Sequence, residues 1–252
     1  MVLSLYKARP LDPRELPELH DIVRQLAGRA GLPKSPRLHY VPSQMMNAFA
    51  VGRPEESAIA VTDGILRSMT MRQLAGILAH ETSHIRNGDL RVMALADAMA
   101  RITSFMSMAG LVGIPLLFGT SLNIPILGVA LLLAAPTIGN LLQLGLSRAR
   151  EYDADLDGAT LTGDPEGLAT ALATLERTQG GKWESVILPG SRSPMPSLLR
   201  THPKTEDRIA RLNSLRHDGE TQIVVRENRG GPSFVPPIRR PKIHWGRMGV
   251  WY

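Results

Sequence analysis

The spacing of apolar residues changes along the chain, and each change marks an element. Near the N-terminus, apolar positions recur at helical intervals after Asp12-Pro13-Arg14-Glu15. Asp12 is placed to cap, Pro13 suits a first helical position and Glu15 closes a capping box, so a helix is expected to start there. Gly31 is its expected stop. Three short apolar runs follow, 37–41 (RLHYV), 47–51 (NAFAV) and 57–62 (SAIAVT), separated by turn residues. They read as a small antiparallel sheet. Thr70-Met71-Arg72-Gln73 repeats the capping-box pattern. It opens a helix expected to run through His84 and to stop at Asn87-Gly88.

Charge then disappears. No Asp, Glu, Lys, Arg or His occurs between Arg101 and Arg148. As a helix, 124–147 would rise about 36 Å, enough to cross a hydrocarbon core of about 30 Å. Residues 102–118 would rise about 25 Å and can extend into the mostly apolar segment before them. GTSLNIP supplies a turn between the two, and Pro115, Pro125 and Pro136 are tolerated in such helices. Residues 102–147 therefore read as a transmembrane helical hairpin. A buried hairpin in a soluble core is the alternative, and it needs a larger shell than the rest of the chain provides. Helical periodicity is clear again over 141–161, restarts at Asp164-Pro165 and ends at Gly180-Gly181. A loop with several Ser and Pro spans 185–197, and a short helix is expected near 203–215. The Pro-, Gly- and Arg-rich tail, 217–252, is expected to form a strand or two or to stay irregular.

Composition narrows the chemistry. The 252 residues are 43% hydrophobic, enough for a core, and contain no cysteine. Disulfides and thiolate metal sites are thereby excluded, so any metal must be held by His and carboxylate. The net charge is +6. Half of that excess lies in the tail, where six Arg and Lys face three Asp and Glu. The mixed charge and scattered prolines of the first 35 residues contain no apolar run of a signal peptide.

One motif carries chemistry. In GILAHETSHIRNGD, residues 76–89, His80 and His84 lie four apart and hence one above the other on a helix. They present two imidazoles to one point, with Glu81 beside it. A hydrolytic zinc site needs two neutral nitrogen ligands and a carboxylate that takes a proton from water. The bland alternative is a pair of hydrogen-bonded core histidines. A third ligand must come from another helix, and SRAREYDADLDG (147–158) offers Glu151 and Asp155 one turn apart. In that reading Glu151 ligates, and Asp155 fixes the tautomer of a ligand histidine. Read alone, the two acids equally suit an exposed face paired with Arg148 and Arg150.

HETSHIRNGD, a hydrophobic hairpin, SRAREYDAD and LLRTHPKTEDRIARL, in that order, resemble the HtpX-type membrane zinc metalloproteases, gluzincins related to the Ste24 CAAX proteases. NAFAVG at 47–52 matches a further motif of that family, and the likeness runs from residue 3 to about 215. It implies a mainly α fold with a small sheet (α+β), a zincin-like catalytic domain formed by 1–101 and 148–216, and the hairpin 102–147 inserted in it. His80, His84 and Glu151 would bind one Zn2+, Glu81 would be the general base and Asp155 would orient a ligand. Asn47, Ala48 and Phe49 would lie along the cleft and hydrogen-bond the substrate backbone. His202 would stabilise the oxyanion, and Arg208 would support the site, although an arginine on a polar helix face is by itself expected to be solvated. His20, His39, His217 and His244 match nothing and read as surface residues. Two departures stand out. HtpX proteins usually carry two more transmembrane helices ahead of the matched segment, and Lys204 replaces a common second Pro after HP.

The expected activity is hydrolysis of polypeptides, with misfolded or damaged membrane proteins as the substrates the resemblance implies. Arg86, Arg91, Arg101, Arg148 and Arg150 flank the hairpin on one side, while its turn is uncharged. The positive-inside rule then puts the active site on the cytoplasmic face of a bacterial inner membrane. A catalytically idle relative serving as a membrane-protein adaptor should have lost a ligand or the base, and all four are present. No nucleic-acid partner is expected for the chain as a whole. The basic tail leaves open an anionic contact of its own.

Overall fold

The structure, a computed structural model, describes residues 2–118, 126–179, 205–215, 223, 244–246 and 249–251. A short helix α1 (Val2–Leu5) and strand β1 (Arg9–Pro10) lead into helix α2 (Pro17–Arg29). The helix expected to be capped by Asp12 and to open at Pro13 starts four residues later, at Pro17. Glu15 does accept the Asp12 N–H at 3.2 Å, but that bond closes only a turn. The following proline keeps Leu16 out of the helical region, at φ −144°, ψ 73°, and Pro17 then opens the helix. Arg9 forks onto Glu15 at 2.8 and 2.9 Å, which pins the turn to β1. Gly31, at φ 67°, ends α2 as expected, and the Leu32 N–H reaches back to the Ala27 carbonyl at 3.0 Å.

Strands β2 (Arg37–Val41), β3 (Ala48–Arg53) and β4 (Glu56–Thr62) fall on the three apolar runs. Their pairing differs from expectation. The sheet is mixed, in the order β1-β2-β4-β3. β3 and β4 form an antiparallel hairpin, with Ala50 opposite Ile59. β2 runs parallel to β4, with His39 opposite Ala60. The cause is burial: every residue of β4 from Ser57 to Thr62 is buried, so it takes the centre and leaves β3 an edge.

Thr62 caps helix α3 (Asp63–Ser68), and Thr70 caps helix α4 (Met71–Asn87). The Thr70–Gln73 capping box is reciprocal, at 3.2 and 3.0 Å. α4 is the hub of the fold. It packs on α2, on β3 and on three later helices, and Leu74, Leu78 and Ile85 are buried on its core side.

Helix α5 (Asp89–Phe118) follows α4 after one residue, and helix α6 (Ile126–Thr162) packs beside it. The expected turn between them lies outside the described residues. α6 is continuous, so the periodicity read over 141–161 is its second half. The helices are about 45 and 55 Å long at 1.5 Å per residue. Their large apolar side chains face outward, among them Phe105, Leu131 and Leu142 at 67, 59 and 70% exposure. This disposes of the soluble-core alternative, because a buried hairpin would hide these groups. Two helices are thus long and apolar enough to cross a membrane, and they are bare.

Helix α7 (Pro165–Gln179) starts where Asp164-Pro165 signalled, with Asp164 accepting the Gly167 N–H at 3.0 Å. Arg72 of α4 forks onto Asp164 at 2.6 and 2.8 Å and reaches Glu166 at 2.7 Å. Helix α8 (Thr205–Ser214) packs on α6 and α7. In the tail, β5 (His244–Gly246) and β6 (Gly249–Trp251) form a small antiparallel hairpin. His20 and His39 are half-buried rather than superficial, and His20 Nε2 lies 3.1 Å from the Leu11 carbonyl oxygen.

Candidate metal centre

α4 offers one apolar face to the core and, on another, His80 and His84. The two rings meet edge to face, with centroids 4.7 Å apart. α6 crosses this face closely at Gly158, where a Cβ would lie 3.2 Å from the His80 amide nitrogen. Glu151 and Asp155 precede Gly158 by seven and three residues, so all three share one face of α6. Close approach at the glycine therefore carries both carboxylates to the histidines. They are buried, at 5 and 4% exposure, not on the exposed face that was the alternative.

His80 Nε2 and His84 Nε2 are 3.2 Å apart. Glu151 places one oxygen 3.6 Å from the first and the other 3.7 Å from the second. One ligand atom from each of the three residues lies within 4.8 Å of the others. Ligand bonds of about 2.0–2.1 Å in a tetrahedron imply ligand–ligand separations of about 3.3–3.4 Å. The three side chains thus fit one divalent ion. The rejected alternative, two core histidines, offers no role for a buried carboxylate beside both rings.

Each ring's remaining nitrogen faces another carboxylate. His80 Nδ1 is 3.1 Å from Asp155 Oδ1, and His84 Nδ1 is 2.8 Å from Asp89 Oδ2. With the proton on Nδ1, facing its carboxylate, Nε2 keeps its lone pair toward the ion site. Asp155 is in turn gripped by Arg208 of α8 through two bonds of 2.7 Å, and Arg208 Nη1 lies 3.3 Å from Glu151. Arg208 is 6% exposed, at the site it was expected to support and not on the solvated face that was the alternative: α8 packs its Arg208 and Leu212 inward. Burial disfavours charge on His80, yet Asp155 and Glu151 outweigh it and raise its pKa to about 10. Such a surplus of buried negative charge is what a cation would neutralise.

Glu81 lines the same cleft. Burial raises its pKa, and His84 and His80 pull it back down. One of its carboxylate oxygens accepts the Ala50 N–H at 2.9 Å, so the edge strand β3 touches it directly. Asn47, Ala48 and Phe49 line the cleft with Ala50. Asn47 is held by Thr62, whose hydroxyl accepts its N–H and donates to its carbonyl, both at 2.9 Å. Arg208 does not reach the cleft and stands behind Asp155. His202 lies outside the described residues. The sequence reading missed Asp89. Its cue was its place directly after Asn87-Gly88: Gly88 at φ 67° turns the chain back, which brings a residue five positions on from His84 under the ring.

Comparison with known proteins bears on this geometry. The profile of peptidase family M48 matches residues 13–216. The chain is 39% identical over 233 residues to a protein named Protease HtpX homolog from Paraburkholderia phytofirmans, covering 87% of this chain and 81% of that one. A Protease HtpX homolog from Burkholderia mallei is 38% identical over the same coverage. Among solved structures, that of S. mikatae Ste24p superposes with a TM-score of 0.55 at 21% identity, over 84% of this chain. The chain covers about half of that larger structure, 52% of its length, and the likeness shows a shared fold. Match and site together place this chain in peptidase family M48, as a metalloprotease of the HtpX type.

Proposed function

We propose that the protein is a zinc-dependent endopeptidase, held in a bacterial cytoplasmic membrane by the hairpin of α5 and α6. The carrying observation is the convergence of His80, His84 and Glu151 beside Glu81 in a cleft edged by β3. Two imidazoles and one carboxylate suit zinc, with a position left for water or substrate. When bound, zinc supplies Lewis acidity to a carbonyl and lowers the pKa of a water. Glu81, raised by burial, takes the proton from the attacking water and returns it to the leaving amine. His202 is assigned the developing oxyanion. Arg208 acts through Asp155, which holds His80.

β3 is an edge strand, so an extended peptide can add to it along Asn47, Ala48 and Phe49. Backbone pairing of this kind reads side chains loosely, which suits misfolded or damaged membrane proteins as substrates. The arginines flanking the hairpin support an active site on the cytoplasmic side.

Zinc analysis of detergent-purified protein, with casein cleavage by wild type and Glu81→Gln, tests the chemistry. One zinc per chain and cleavage by wild type alone are expected. Equal cleavage by both would remove the proposed base. The absence of native cysteine makes Ser121→Cys a clean topology probe: an impermeant maleimide should label it from the periplasmic side only.

A further inference from the structure

Asp89 is the first residue of α5 and is 3% exposed. Its two oxygens face different partners: Oδ2 lies 2.8 Å from His84 Nδ1, and Oδ1 lies 3.5 Å from Arg150 Nη1. Arg150 belongs to α6, one residue before Glu151, and its guanidinium also lies 3.9 Å from Asp153. Asp89 thus stands where the outgoing apolar helix begins, and Arg150 where the returning one has just ended its uncharged stretch. The mouth of the hairpin closes on a carboxylate that also holds a histidine of the candidate metal centre.

We propose that Asp89 is a positioning residue for His84, held in turn by Arg150, so that the mouth of the hairpin sets the orientation of one metal ligand. Asp89 fixes the tautomer that turns Nε2 toward the ion. Arg150 acts only through Asp89: it keeps the carboxylate from swinging off the imidazole and ties α6 to the start of α5. The inference rests on the reading of His80, His84 and Glu151 as ligands.

The test is zinc affinity of the detergent-solubilised full chain, measured by competition with a chromophoric chelator, together with the visible spectrum of the cobalt-loaded protein. Asp89→Ala should weaken zinc binding about tenfold to a hundredfold and alter the cobalt spectrum. Asp89→Asn keeps the shape and an acceptor oxygen, so it should fold and show a smaller loss in the same direction; it decides the matter if the alanine variant does not fold. Arg150→Gln should weaken zinc binding severalfold in the wild-type background and not at all in Asp89→Ala, because its action passes through the carboxylate. A purely structural role would lower the melting temperature of the metal-free protein while leaving affinity and spectrum as in wild type, and that result overturns the inference. So does a full, additive loss from Arg150→Gln on top of Asp89→Ala. Failure of the wild-type chain itself to bind zinc would instead sink the ligand assignment.

Discussion

The two histidines of α4 are supported in the same way by different parts of the molecule. On the His80 side the carboxylate is Asp155, the arginine is Arg208, and both are buried against α6 and α8. On the His84 side the carboxylate is Asp89 and the arginine is Arg150, whose side chain is 34% exposed at the base of the hairpin. An imidazole, a carboxylate and a guanidinium are lined up twice. The first row is locked into the core. The second joins the core to the base of the apolar helices. If Asp89 positions His84 as proposed, similar chemistry gives one candidate ligand held rigidly in the core and one whose geometry depends on the hairpin.

The sharpest probe removes what both sides serve. Glu81→Gln should lower kcat by about 10²–10⁴-fold, while zinc content stays at one per chain. Zinc lost along with activity would show that Glu81 supports the ligands rather than the proton transfer. Next in size, Arg208→Ala leaves Asp155 buried beside Glu151 with its guanidinium gone, at a cost of about 3–5 kcal/mol by denaturant unfolding. A loss below 1 kcal/mol would erase the claimed rigidity of the His80 side. Gly158→Ala should cost about 1–3 kcal/mol, since its Cβ meets the α4 backbone at His80 and pushes α6 away. Its zinc affinity should fall too, as Glu151 withdraws. The smallest effect belongs to the open side: Arg150→Gln should change the stability of the metal-free protein by less than about 1 kcal/mol, as expected for a partly exposed ion pair.

Much of this was legible in the chain because it is written in local signals. The Thr70–Gln73 box, the stop at Gly88, the Asp164-Pro165 start and the uncharged stretch each depend on neighbours within a few residues, and the structure repeats them. The pairing of the sheet was not legible. Strand identity follows from local apolar runs, but whether β2 meets β3 or β4 depends on which strand the core buries. Arg208, assigned to the site by the resemblance, was not decided by its own helix for the same reason. Its helix is strongly polar, and only the arrival of Asp155 from a distant helix makes an inward arginine favourable. The start of α2 failed on a finer point: a good capping box at Asp12 was overruled by a proline two residues beyond it. Asp89 was hidden because the sequence rule of three-and-four spacing stops at a helix end, whereas the αL glycine continues the geometry around the corner.

That corner sets a length rule for engineering. α4 and the first apolar helix are joined by a single residue, so they are effectively phased to each other. Inserting a residue at Gly88 would lengthen that left-handed joint and break the fixed phase of α5 against α4. Tags or reporter domains placed there should scramble the register between catalytic head and anchor.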